Sequence, residues 1–355
     1  MFEKLPFNKL RYKKADLPSN KINDFILPAI TCTTENNGIS CYVKKENATI
    51  FKNCISVAAN GDAPVFYQSN EFTILQDAYV IDFKDKKLNK KENLFFTALL
   101  KKALKKFDWA NKSGWERVKN ENILLPTTQN GEIDFEFMES FVAELEAERV
   151  AELEAYLAAA SLKDYELTAD ELSALSKFEN YNWGEFRIGD LFTSKTGDTD
   201  LQQKDINGKG EYFLNSGYTN CGVNGKTDRP ARIFLKNTIT IDFLGYVFYR
   251  NFDYKMATHN HIFSLSGEVI KNEKIGLFLV ASLSYLKNIF SFSNMGTWTK
   301  FKDLNIKLPI TTNGEIDFEF MNNFIKAIKK LVIKDVVLYT DNKIKATKSI
   351  VSSNQ

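Results

Sequence analysis

Residues 125–157 read LPTTQNGEIDFEFMESFVAELEAERVAELEAYL, and residues 308–339 read LPITTNGEIDFEFMNNFIKAIKKLVIKDVVLY. The run NGEIDFEFM is identical at 130–138 and 313–321, an offset of 183 (313 − 130). Nine matching residues in a row make the chain two copies of one unit, and such a repeat sets the whole domain plan. Within it, Asn-Gly signals a turn. Asp134 and Asp317 stand where a helix N-cap belongs, just ahead of an apolar-periodic run. The stripe in copy one is Met138, Val142, Leu145, Arg149, Leu153 and Tyr156. In copy two it is Met321, Ile325, Ile328, Val332, Val336 and Tyr339. Steps of three and four describe one helix face, so each copy is predicted to end in a long amphipathic helix of the same phase.

The two helices differ in charge. Glu139, Glu144, Glu146, Glu148, Glu152 and Glu154 make the first acidic, whereas Lys326, Lys329, Lys330, Lys334, Lys343 and Lys345 make the second basic. Matching stripes of opposite charge predict an antiparallel coiled-coil pair. The alternative is two surface helices, each packed on its own domain. A helix of roughly 25 residues is about 38 Å long, close to one turn of B-DNA at about 34–36 Å.

With 355 residues there is room for two domains, and 44% hydrophobic residues supply a core for each. The net charge of only +2 leaves no strong basic field, so any nucleic-acid contact has to use local patches or share the work with a partner. Cys32, Cys41, Cys54 and Cys221 show no CxxC spacing, which argues against a zinc site or a disulfide framework and fits a reducing cytoplasm. The N-terminal MFEKLPFNKLRYKK has no apolar core of a signal peptide. The longest apolar stretch, 275–286, is too short to span a bilayer.

Taken in order, residues 1–34 open with a short segment and a lysine-rich loop. The runs ILPAITCTT, ISCYV, ATIFKNCISVAA, VFYQ, FTIL and AYVIDF then read as strands. Asn37-Gly38 and Asn60-Gly61 are the clearest turns between them. A helix is predicted at 93–107, and 162–180 reads as a helical linker in which Thr168-Ala-Asp-Glu171 resembles a capping box. Copy two starts near Trp183, and IFLKNTITIDFLGYVFYR at 233–250 parallels IFKNCISVAANGDAPVFYQ at 50–68. From Asp77 (to Asn260) onward the offset reads as a constant 183, as in Leu94-Phe95 to Leu277-Phe278. Copy one shows no obvious counterpart of the Trp183 segment.

Motifs for chemistry are mostly missing. His259-Asn260-His261 spells HNH, but the chain has only two histidines, and copy one has Gln76-Asp77-Ala78 at the same place. A DNA-contacting or structural pair is the preferred reading over a nuclease. There is no GxxxxGK[ST], no GxGxxG opening a helix and no DPPY or NPPY run. The carboxylates of the central helix read as a solvated acidic face.

What remains is a binding surface. The loops are dense in side chains that read bases or hold phosphates, although Asn, Gly, Ser and Asp are also ordinary turn residues. The DNA-binding candidates in copy one are Thr34, Asn36, Asn37, Asn60, Asp62, Tyr67 and Gln68. In copy two they are Asn215, Ser216, Tyr218, Thr219, Asn220, Lys226, Arg229, Tyr249, Arg250 and His259. A repeat that keeps its frame and varies its loops suits a reader of two different words.

These residues resemble a known family. The opening WGEFRIGDLF at 183–192, Cys221-Gly222-Val223, Val247-Phe248-Tyr249, Leu277-Phe278 and Leu308-Pro309 follow the order seen in specificity (S) subunits of type I restriction–modification systems and the similar subunits of type IIB systems. Copy one repeats that order with Asn37-Gly38-Ile39, Val65-Phe66-Tyr67, Leu94-Phe95 and Leu125-Pro126. The resemblance implies an α+β fold with two target-recognition domains held apart by long helices that pair as an antiparallel coiled coil. The expected boundaries are domain 1 at 1–133, central helix at 134–161, linker at 162–181, domain 2 at 182–316 and distal helix at 317–351. Each domain would read one half of a bipartite, asymmetric DNA site. The stripe residues other than Arg149 would serve helix pairing or docking of two modification (methyltransferase) subunits, with a restriction subunit joining them. The chain itself would be non-catalytic and cytoplasmic and would hold no metal or cofactor; S-adenosylmethionine and ATP would belong to the partners. The rivals are a DNA-binding regulator acting alone, an HNH-type nuclease and a coiled-coil adaptor.

Overall fold

The computed structural model describes residues 1–258 and 261–353, the last seven as backbone only. The chain divides into two compact units, residues 1–154 (grouped with those from Ser349) and residues 155–348. Unit one holds β1 (Phe2–Lys4), β2 (Leu27–Ile30), β3 (Ile39–Val43), β4 (Cys54–Ala58), β5 (Val65–Gln68), β6 (Thr73–Ile74) and β7 (Ala78–Phe83). Its helices are α1 (Lys90–Leu104), the single turn α2 (Trp115–Val118) and α3 (Phe135–Ala159). The strands form one sheet in the order β1-β7-β4-β5 and a smaller one in the order β3-β2-β6.

Alternation along the strands explains the layering. Every residue of β4 and β7 is buried, as expected for strands covered on both faces. Ile55, Val57, Tyr79 and Ile81 point to one side and pack with Phe96, Leu100 and Leu104 of α1. Cys54, Ala78 and Val80 point to the other and pack with Ile30, Phe72 and Ile74. The Asn89 side chain accepts from the Glu92 amide at 3.0 Å and the Glu92 carboxylate accepts from the Asn89 amide at 2.7 Å, a capping box that fixes the start of α1.

Unit two follows the same plan. It holds α4 (Ala169–Lys177), β8 (Trp183–Arg187), α5 (Ile188–Leu191), β9 (Thr193–Lys195), β10 (Glu211–Leu214), β11 (Val223–Thr227), β12 (Thr238–Asp242) and β13 (Val247–Arg250). Then come β14 (Tyr254–Met256), β15 (Ile262–Ser266), α6 (Glu273–Leu283), α7 (Trp298–Phe301), β16 (Asn305–Pro309) and α8 (Phe318–Ser353). The sheet orders β13-β12-β15-β9 and β11-β10-β14 repeat those of unit one, and β16 with β8 forms an added pair.

Strand register sharpens the repeat. Ile55 faces Ile81 as Ile239 faces Leu265. The offset on β7 and β15 is therefore 184 (265 − 81), whereas the helix caps Asn89 and Asn272 keep 183. The loop before the helix takes up the difference, because a one-residue slip within the strand would turn its apolar face away from the core. The Asp77–Asn260 match ends on a residue outside those described. In unit one β1 escaped sequence reading; its Phe2 faces Phe83 where Phe192 stands beside Gly267 in copy two.

Both long helices start as expected. The Phe137 and Phe320 amides donate to the Asp134 and Asp317 carboxylates at 2.8 Å. Met138 and Met321 sit in the cores of their own units. Farther along, the buried positions among the described side chains are Val142 and Leu157 in α3 and Ala327, Val337 and Thr340 in α8, while Leu145, Tyr156, Ile328, Val332, Val336 and Tyr339 are exposed. The buried face turns because only the first turns lie on the core of the unit, and sequence periodicity does not record where that support ends.

Candidate nucleic-acid interface

The same device holds the variable turn in each copy. In copy one, residues 31–38 link β2 to β3, with Asn36, Asn37 and Gly38 all at positive φ. Copy two repeats this with Asn220, Cys221 and Gly222. Gly222 is required twice over: its φ is +75°, and a Cβ there would come within 2.6 Å of the Asn215 carbonyl.

From the adjoining strand one polar side chain pins each turn. Gln68 Nε2 donates to the Asn37 carbonyl at 2.9 Å and to Ser56 Oγ at 3.0 Å. Its counterpart Arg250 donates from Nη2 to the Cys221 carbonyl at 2.8 Å and from Nε to Thr240 Oγ1 at 2.9 Å. Arg250 is only 1% exposed, and burial lowers its pKa to about 10, so it remains cationic at neutral pH. The tyrosines beside them match as well. Tyr67 Oη donates to Asn53 Oδ1 at 3.0 Å, and Tyr249 Oη donates to Asn237 Oδ1 at 2.9 Å.

These bonds sort the sequence candidates. Gln68 and Arg250 direct their polar atoms into the unit, whereas the half-buried Tyr67 and Tyr249 turn their hydroxyls to the exposed Asn53 and Asn237. Asn37 is exposed, yet its amide donates to the Tyr67 carbonyl at 3.2 Å. Asn60 is buried and Asp62 exposed in the turn of the β4–β5 hairpin, at the opposite end from the Cys54–Gln68 pair. Thr34 and Asn36 are exposed.

In copy two, Tyr218, Thr219 and Asn220 are exposed, and the Asn220 amide donates to the Val223 carbonyl at 2.8 Å. Asn215 accepts from the Ser216 amide at 2.8 Å. The Gly217 amide donates to Asp242 at 2.7 Å, tying this loop to β12. Burial raises the Asp242 pKa, opposed by bonds from the backbone amides of Gly217, Tyr246, Leu244 and Gly245. Lys226 lies 4.6 Å from the Tyr212 ring centre, and Arg229 pairs with Asp205 at 2.6 Å. His259 lies outside the described residues.

A cleft of about 580 Å³ opens beside the copy-one turn, lined by Lys21, Tyr42, Lys45, Lys52, Ser69 and Asn70 along with Asn37. Sequence reading passed over these lysines because nothing in the chain order brings Lys21, ahead of β2, beside Lys45 and Lys52 in the β3–β4 loop. Amides, hydroxyls and ammonium groups around one opening can meet base edges and phosphates. Among the described residues no group of three or more His, Cys, Asp and Glu side chains is placed to hold a metal. Nor is any helix long and apolar enough to cross a membrane.

Comparison with known proteins agrees with this architecture. The family described as "Type I restriction modification DNA specificity domain" matches residues 1–155 and 180–338. The type II restriction enzyme specificity subunit S.BcgI of Heyndrickxia coagulans is 22% identical over 314 residues, covering 86% of this chain and 87% of the relative. The crystal structure of the type I restriction–modification S subunit from M. genitalium matches with a TM-score of 0.56 at 14% identity, over 99% of this chain and 94% of that one. The HsdS subunit from Thermoanaerobacter tengcongensis gives a TM-score of 0.30 at 14% identity, over 99% and 89%. Two α+β units in tandem, each closed by a long helix, are thus joined by a family match over both, and the chain belongs to the type I restriction–modification DNA-specificity family.

Proposed function

We propose that this chain is the DNA-specificity subunit of a restriction–modification complex and that each unit reads one half of a bipartite DNA site. The observation that carries the reading is one frame bearing two different turns. Residues 31–38 and 215–222 hang from equivalent strands, yet one exposes Thr34, Asn36 and Asn37 and the other Tyr218, Thr219 and Asn220. Phosphate contacts position such a reader and base contacts specify it. Lys21, Lys45 and Lys52 suit the first task and the turns suit the second.

On this reading domain 1 spans 1–133 and domain 2 spans 182–316. The helices at 134–161 and 317–351 pair antiparallel and set the gap between the two DNA words. The exposed apolar residues Leu145, Tyr156, Ile328, Val332, Val336 and Tyr339 supply a docking surface for two methyltransferase subunits, which a restriction subunit joins. Those partners bring S-adenosylmethionine and ATP, and this chain contributes recognition without catalysis in the cytoplasm.

The test is methylome sequencing of cells expressing the chain with its neighbouring modification subunit, beside cells in which residues 215–220 are replaced. A bipartite methylated motif with one half altered in the variant supports the reading. An unaltered motif would overturn the assignment of that loop. Tight, sequence-specific binding by the purified chain with no methylation in cells would favour a regulator acting alone.

A further inference from the structure

The register of the smaller sheet matches three positions of the two copies. Glu211 faces Thr227 across β10 and β11 as Leu27 faces Val43 across β2 and β3. Lys255 lies beside Phe213 as Thr73 lies beside Ala29. In copy one Leu27, Val43 and Thr73 are all buried, and the first two pack with Ala29, Cys41 and Leu75. Copy two fills the same places with a lysine, a carboxylate and a threonine.

Lys255 is only 4% exposed. Its ammonium group pairs with Glu211 at 2.8 Å and donates to the Arg229 and Thr227 carbonyls at 2.9 and 3.2 Å. An ammonium group has as many hydrogens as these contacts need. Copy one shows that the frame also accepts an apolar solution, and exchanging a buried ion pair for apolar packing is often neutral or stabilising. Stability is therefore a weak reason for the pair. What packing cannot do is grip two carbonyls, and these two flank Asp228 where the chain leaves β11.

That segment carries charge to the surface. The Arg229 side chain is 41% exposed, and Asp205 orients its guanidinium at 2.6 Å. Asp205 is itself held: its carbonyl accepts from Thr227 Oγ1 at 2.7 Å and its carboxylate from the Gln202 amide at 2.8 Å. The Asn207 side-chain amide closes the loop on Asp228 at 2.6 Å. By the register of β2–β3 and β10–β11, Arg229 stands at the place of Lys45 and Lys226 at that of Tyr42, an offset of 184 (229 − 45). Lys45 and Tyr42 line the copy-one cleft together with Asn37 of the variable turn.

We propose that Lys255 is a positioning residue for DNA binding by unit two, fixing residues 227–229 so that the Arg229 guanidinium meets a backbone phosphate of one half-site. The inference rests on the DNA reading and adds to it the residue that presets this contact. A guanidinium already oriented by a carboxylate loses little freedom on meeting a phosphate, and it has donors for both. The phosphate contact sets where the duplex lies, while the 215–222 turn reads the bases. Lys255 itself never touches the DNA; it acts through the segment whose carbonyls it holds.

The test is a salt titration of DNA binding by the chain assembled with its modification subunits, on a duplex carrying the bipartite site. Arg229→Gln, a change at the surface, should reduce the salt slope by about 1, the value of one lost phosphate contact. Glu211→Leu combined with Lys255→Thr leaves the net charge unchanged and copies the residues of copy one. It should keep the melting point close to that of wild type and reduce the slope by the same amount, which a merely structural pair would not do. Adding Arg229→Gln to it should reduce the slope no further, because both changes remove one contact. An unchanged slope in the Arg229 variant or in the charge-neutral pair, or losses that add, would overturn the inference while wild type still prefers its site. Unfolding of the charge-neutral pair would overturn it too, by showing that the ion pair holds the unit rather than one contact. A wild-type complex with no sequence preference would overturn the DNA reading and this inference with it.

Discussion

Arg250 and Cys221 are joined by a part-buried hydrogen bond, Nη2 to carbonyl at 2.8 Å, that ties the 215–222 turn of copy two to strand β13. Copy one does the same work with Gln68 and Asn37 at 2.9 Å. A cation and a neutral amide therefore fill one role, and each is a positioning residue for the turn it pins.

Arg250→Ala should leave the Cys221 carbonyl and Thr240 hydroxyl without their donor. The expected cost is on the order of 3 kcal/mol, since unsatisfied buried polar groups cost about 1–3 kcal/mol each. Arg250→Gln, the solution of copy one, should cost less. Thermal unfolding of the two variants checks the order, and an alanine variant as stable as the glutamine one would contradict it.

Tyr218 is 69% exposed and rests against Tyr246 at 5.7 Å. Tyr218→Ala is expected to leave the melting temperature within a degree or so of wild type, a ΔΔG of about 0.5 kcal/mol or less. It should weaken recognition of one half-site by about 1–3 kcal/mol. Binding of the assembled complex to DNA with either half scrambled separates the two halves.

Lys52 lines the copy-one cleft. If it meets a phosphate, Lys52→Ala lowers affinity for all sequences alike and reduces the salt slope by about 1. Titrations at several salt concentrations measure the slope, and a sequence-selective loss would reassign the lysine to base contact.

Val332 is 74% exposed on α8. Val332→Asp should spare the fold and weaken assembly with the methyltransferase subunits, because burying an unpaired carboxylate at an interface is costly. Size-exclusion chromatography of the co-expressed subunits reads the outcome; unchanged assembly would place the docking surface elsewhere.

Lys330 clips α8 to the linker through Asp164 at 2.7 Å and Glu171 at 3.2 Å. The hydrogen bond from Lys330 holds the Asp164 carboxyl below its usual pKa, and the bond to Asp164 raises that of Lys330. A carboxyl with a depressed folded pKa contributes stability above its unfolded value and loses it as pH falls through the folded one. A lysine with a raised folded pKa contributes below its unfolded value and loses it as pH rises through the folded one. The stability difference between wild type and Lys330→Met should therefore be full near neutral pH and shrink below the ordinary carboxylate range. Melting curves across that range check the direction.

Much of the fold was legible in the sequence because it is local. The turn at Asn130-Gly131, the cap at Asp134, the box at Thr168 and the strands from Leu27 to Phe83 all depend on residues a few positions apart, and all but the Thr168 box recur at their counterparts. The site was less legible. Gln68 and Arg250 look like base-reading side chains by type, yet their burial follows from the strand register and from turns that lie about thirty residues away in sequence. Lys21 precedes β2 while Lys45 and Lys52 sit in the loop between β3 and β4, so the lysines of the copy-one cleft gather only when the unit folds.

By itself the sequence determined that the chain is two copies of one α+β unit, each closed by a capped amphipathic helix. Repetition, turn chemistry and apolar period are properties of neighbouring residues and survive without a fold. Only the tertiary structure decided which apolar face of each helix is covered. The decision for Phe141 and its equivalent Phe324 was likewise tertiary. Both make the same aromatic contacts within their own unit, but only Phe324 has Phe178 stacked upon it, through a contact spanning well over a hundred residues. Burial is set by what the rest of the chain brings to a side chain, and no local pattern encodes it.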